Sequence, residues 1–92
     1  MINILLKTPS EIDLELAERI AGIRKRRKIT QAELAKKAGV SLGSLRRFEQ
    51  TGEISLHSLT LLSIALSLED ELEALFRQPE FLSIDEVIRG QD

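Results

Sequence analysis

Between Arg24 and Arg47 the chain carries nine basic residues, Arg24, Lys25, Arg26, Arg27, Lys28, Lys36, Lys37, Arg46 and Arg47, against one acid, Glu33. Side chains of one sign at this density can neutralise several phosphates, and an arginine can also place two parallel N–H donors on a guanine edge. Short polar groups are interleaved with them. Gln31 is suited to a phosphate contact, and Ser41 and Ser44 can reach phosphate or base edges. Leu42 can lie against a thymine methyl, and Gly43 lets backbone come close, at about 1 kcal/mol of helix propensity. Uniform sign separates this cluster from an ordinary solvated helix face.

The residues that must position these groups form the stretch Gln31 to Gln50. Leu34, Ala38, Val40, Leu45 and Phe48 are apolar at two helical periodicities that meet at Gly39 and restart after it. Thr30 and Ser41 can cap helix starts, and Thr30 with Glu33 makes an S/T-x-x-E capping box. Gly39 can adopt the left-handed conformation that ends the first helix, and Ala35 is small enough for a helix crossing. Helix, short glycine turn and helix is an architecture that lays its second helix in a DNA major groove.

Ninety-two residues make one domain with a small core. Apolar residues are 42% of the chain and aromatics 3%, so the core is built of Leu, Ile, Val and Ala, which favours packed helices. No Cys is present, which excludes disulfides and thiolate metal sites and fits a reducing cytoplasm. The opening MINILLK has no basic leader, and no apolar run approaches the roughly 20 residues that span a bilayer. A soluble, cytoplasmic protein is expected, without membrane association or cofactor. The net charge of -2 conceals an asymmetry: residues 1–50 hold 11 Lys+Arg and 6 Asp+Glu, residues 51–92 hold 2 and 9. An acidic total is therefore compatible with a nucleic-acid surface in the first half.

Three regions are expected. Residues 1–7, with Ile2, Ile4 and Leu6 alternating, suit a short strand that pairs with the C-terminal segment or another chain, or else a frayed terminus. Residues 8–77 hold the helices. The first starts at the capping box Thr8-Pro9-Ser10-Glu11 and runs to about Arg27, with Ile12, Leu16, Ile20 and Ile23 on one face, widened by Leu14 and Ala17. Its acids come early and its bases late, so the RKRRK run from Arg24 to Lys28 also suits the helix dipole. After a loop at Thr51 to Ile54, Ser55 caps a helix from Leu56 to about Leu66, apolar on most sides and expected to be central and buried. Ser67 or Glu69 opens a last helix through Leu72, Leu75 and Phe76. His57, the one histidine, has no companion ligand and suits an exposed polar position. Residues 78–92, with Phe81, Leu82, Ile84, Val87 and Ile88 and a third capping box at Ser83 and Glu86, form an arm suited to dimerisation or partner binding.

Residues 16–76, about two-thirds of the chain, resemble the lambda repressor and Cro-like helix-turn-helix family, also called the XRE family. The resemblance rests on Arg24, Thr30-Gln31, Leu34-Ala35, Gly39-Val40-Ser41, Leu45 and Glu49 in combination. It implies an all-α fold of five helices whose third helix reads DNA. It also implies that Arg24 pairs with Glu49 to aim that helix, and that Gln31, Ser41, Leu42, Gly43, Ser44, Arg46 and Arg47 face the nucleic acid; Lys28 joins them as a phosphate contact through the charge of the RKRRK run. Two positions depart from the pattern. Lys28 stands where many members have glycine, and Leu42 stands where a polar reader is usual. Residues 48–87 further resemble antitoxins of HipB type, which implies a homodimer that binds its own operator DNA and holds a HipA-like serine/threonine kinase toxin. Neither residue types nor spacing offer an enzyme's machinery: there is no Cys, one His, no Gly-rich phosphate loop and no paired carboxylates at a site expected to be buried.

Overall fold

Four helix starts are closed by a hydroxyl oxygen that accepts from a backbone N–H of the first turn. Thr8 accepts from Glu11, Thr30 from Glu33, Ser41 from Ser44 and Ser55 from Ser58, at 3.0–3.1 Å. Each such cap is worth about 1 kcal/mol. The helices that follow, in a computed structural model that describes residues 6–79, are α1 (Pro9–Arg26), α2 (Gln31–Ala38), α3 (Leu42–Thr51), α4 (Leu56–Ala65) and α5 (Glu69–Ala74). No strand occurs among the described residues, and the all-α expectation holds. The strand expected over residues 1–7 lies mostly outside the described residues. Leu6 and Lys7 have no regular structure, and Lys7 Nζ meets Glu15 at 2.7 Å. Residues 80–92, most of the expected arm, also lie outside.

The core joins Ala17 and Ile20 of α1, Leu34, Ala35 and Ala38 of α2, Val40, Leu45 and Phe48 of the turn and α3, and Leu62, Ala65 and Leu66 of α4. Among the described residues Phe48 is its one aromatic; Phe76 is 90% exposed. Small residues sit where helices approach. Ala17, Ala35 and Ala38 let α1, α2 and α3 pack with little between them.

Three expectations are corrected. α1 has 18 residues, about 27 Å at 1.5 Å per residue, and α3 has only 10, so the first turn of α1 projects past its cover and Ile12 is exposed. α4 is not a fully enclosed central helix: Leu62, Ala65 and Leu66 are buried, whereas Leu56 and Ile64 face outward. α5 stops at Ala74, because Leu75 is extended and Phe76 takes a left-handed φ of 62°. Of the two expected starts, Glu69 is the one that opens the helix: Ser67 has φ 58°, and the cap position is Leu68, without a side-chain bond.

Among the described residues, both glycines with positive φ end a helix. Gly39 (φ 75°) closes α2 in open space, with nothing within 4 Å of a Cβ built there. Gly52 (φ 83°) closes α3 against the backbone of α1, where a Cβ would fall 2.6 Å from Asp13 C and Leu14 N. Lys28 also adopts a left-handed conformation, φ 58°, between α1 and α2. That backbone is what a glycine supplies at no steric cost, so the departure noted at this position places a strained lysine in the turn.

Candidate nucleic-acid interface

α3 presents two opposite faces. Leu45 and Phe48 are buried, so with 100° per residue the outward face carries Gly43, Arg46, Arg47 and Gln50, all exposed. Ser44 flanks that face and is also exposed. Leu42 is half-buried against the core and stands less free than a reader at the helix start would. Ser41 caps α3 through its oxygen lone pair, and its O–H can still donate to a phosphate. Lys28 is exposed in the turn after α1, and Gly39 sets the angle between α2 and α3.

Beneath the outward face lies a polar junction that fixes where α3 points. Arg24 Nε donates to Glu49 Oε2 at 2.8 Å and Nη2 donates to Oε1 at 2.9 Å, a two-bond pair between α1 and α3. The same guanidinium donates through Nη1 to the Ile29 carbonyl at 2.8 Å, holding the turn before α2. Gln31 Nε2 donates to Glu49 Oε1 at 2.9 Å, so α2 joins the same carboxylate. Three elements thus meet on one carboxyl group. Burial alone would raise the Glu49 pKa, but the hydrogen bonds from Arg24 and Gln31, with the charges of Arg24 and Lys25, outweigh it and hold the group below the ordinary carboxylate range. The Arg24–Glu49 pairing expected from the resemblance is present; the Gln31 contact to it is an addition.

The lone acid of the basic cluster is also committed. Glu33 accepts from the Thr30 backbone N–H at 2.9 Å, and that bond, followed by the one with the Thr30 hydroxyl, lowers its pKa. It serves as half of a capping box at α2. Arg27 is exposed as a residue, with its Nη1 donating to the Leu66 carbonyl at the end of α4. Lys25, Arg26 and Lys28 remain exposed beside it.

A profile of the helix-turn-helix family matches residues 20–71, more than half of the chain and inclusive of α2, the Gly39 turn and α3. The chain belongs to the helix-turn-helix family. Its lambda repressor/Cro-like domain is that of a DNA-binding regulator, with α2 and α3 as the helix-turn-helix unit and α3 as its second helix. No curated protein matches the chain. Among the described residues, no helix is long and apolar enough to cross a membrane.

Sequence reasoning had passed over two side chains of this helix-turn-helix unit. Gln50 lies seven residues after Gly43 and shares its face, a position that helical periodicity alone could have revealed. Glu53, outside the helices, pairs with Arg47 across the loop that follows α3, and no local pattern announces it.

Proposed function

We propose that this protein is a sequence-specific repressor that binds its own operator as a homodimer and acts as the antitoxin of a HipA-like serine/threonine kinase toxin in the cytoplasm. It works by binding, not by catalysis. The observation that carries the DNA-binding part is the outward face of α3, where Arg46, Arg47, Gln50 and Ser44 stand exposed on a helix aimed by the Arg24–Glu49–Gln31 junction. Ser41 and Lys28, both exposed, would hold phosphates, Gln31 would add the second N–H of the Nε2 that already donates to Glu49, and Arg46 and Arg47 would reach base edges or phosphates. Gly43 would let the backbone approach, and Leu42, half-buried, would contribute shape more than hydrogen bonds.

A dimer would place two α3 helices in successive major grooves about 34 Å apart. Its support is an apolar surface built by helices other than α2 and α3. Between α1, α4 and α5 runs a groove of about 270 Å³ lined by Leu16, Ile20, Ile23, Leu59, Leu72 and Leu75, with Phe76 exposed beyond it. The charge asymmetry favours a second reading, an interaction module whose acidic C-terminal half binds a basic partner. The antitoxin role rests on the likeness of residues 48–87 to HipB-type proteins.

Co-expression with the neighbouring reading frame, followed by purification through a tag on this chain, separates the readings. Recovery of a kinase whose activity falls on binding supports the antitoxin role. Recovery of no partner, together with salt-dependent binding to the upstream DNA, leaves a stand-alone regulator. A partner without any DNA binding identifies the interaction module.

A further inference from the structure

Arg47 lies on the outward face of α3, where its guanidinium has a carboxylate partner. Nη2 donates to Glu53 Oε2 in an ion pair whose side chains are 67% and 62% exposed. The loop that carries Glu53 is held in place at three points. Gly52 N–H donates to the Phe48 carbonyl at 2.7 Å while its Cα rests against the α1 backbone. Thr51 Oγ1 donates to the Arg47 carbonyl at 2.7 Å, and the Glu53 N–H donates to Thr51 Oγ1 at 3.1 Å. Glu53 therefore stands at a set position beside Arg47, rather than meeting it by chance across a long loop. It is also the first acid after the basic stretch, apart from the buried Glu49.

We infer that Glu53 is an in-chain competitor for the DNA phosphate that Arg47 would hold. The inference rests on the DNA-binding reading of α3. Carboxylate and phosphate offer a guanidinium the same paired oxygen acceptors, so a phosphate that takes Nη2 must displace Glu53, and one that takes the other N–H groups sits against its charge. Displacement leaves an unpaired carboxylate near the DNA backbone, which lowers the gain from the Arg47 contact. Binding by α3 then depends on contacts beyond Arg47, and weak association with arbitrary DNA is held down. An exposed pair of this kind is worth little to the fold, so the competition acts on binding and leaves stability almost untouched.

Wild type, Glu53→Gln, Arg47→Gln and the double variant are titrated with a labelled duplex of arbitrary sequence, about three helical turns long, across roughly 50 to 200 mM salt. Glu53→Gln is expected to bind about twofold to fivefold tighter than wild type. It should also steepen the slope of log affinity against log salt by up to about 0.9. In the Arg47→Gln background the same substitution should give a clearly smaller gain. Binding that appears only in Glu53→Gln also supports the competition. Equal affinity of wild type and Glu53→Gln overturns it while leaving the DNA-binding reading standing. An equal gain in both backgrounds overturns it too, because Glu53 would then act through its charge alone. If neither wild type nor Glu53→Gln binds any duplex at low salt, the DNA-binding reading fails, and this inference with it.

Discussion

α3 is flanked by two arginine–glutamate pairs that share their chemistry and differ in burial. On the inner flank Arg24 and Glu49 are 9% and 7% exposed, joined by two hydrogen bonds, with Ile29 and Gln31 completing their partners. On the outer flank Arg47 and Glu53 are mostly in water and make one. Removing one partner of a buried pair strands a desolvated charge, whereas removing one partner of an exposed pair hands the other to solvent. The inner pair is therefore tied to the position of α3, and the outer pair, on the proposed reading, to what α3 can hold. Fold and binding can be perturbed separately on the two sides of one helix.

The sharpest way to break that contrast is Arg24→Ala. It should destabilise the fold by about 3–5 kcal/mol in chemical denaturation, since Glu49 loses its charge partner and the Ile29 carbonyl its donor. A loss below about 1 kcal/mol would put both pairs in one class. Next comes the loop that carries the outer pair: Gly52→Ala should lose at least about 2 kcal/mol, through left-handed strain plus collision with α1. Gly39→Ala, with the same strain and open space, should lose about 1 kcal/mol. Equal losses would mean that the contact between Gly52 and α1 is slack.

Acid separates the two flanks by another route. A carboxyl whose folded pKa lies below its unfolded one stabilises the fold above the unfolded value, near 4.3 for glutamate, and loses that contribution as pH falls through the folded value. Glu49 is in that position, so denaturation midpoints should fall with pH below the mid-fours, and less steeply in Glu49→Gln than in wild type. The smallest effect is expected at Arg47→Gln, where stability should change by less than about 1 kcal/mol.

Much of this arrangement is legible along the chain because it is local. The capping boxes at Thr8 and Thr30, the caps at Ser41 and Ser55 and the glycine end of α2 each depend on residues within four positions. The face of Leu34, Ala38, Leu45 and Phe48 follows from helical spacing. What depends on packing between distant segments is not legible. Gln31 reaching Glu49, Arg27 reaching the Leu66 carbonyl and Gly52 resting on Asp13 and Leu14 are set by how the helices dock. The misjudged burial of Ile12, Leu56 and Ile64 has the same origin: an apolar side chain marks a helix face but not how far its neighbours extend. At Lys28 the strain is visible only as a departure from the family's glycine, and the left-handed φ supplies its meaning.

The central claim, that the outward face of α3 holds DNA, is tested most directly by Arg46→Gln combined with Arg47→Gln. Salt-dependent binding to duplex DNA should be measured beside thermal unfolding of the same variant. The expected result is an unchanged unfolding midpoint, affinity lower by roughly tenfold or more, and a salt slope shallower by up to about 1.8, one phosphate contact for each arginine. A stable variant that binds with wild-type affinity and slope would contradict the assignment of this face to DNA.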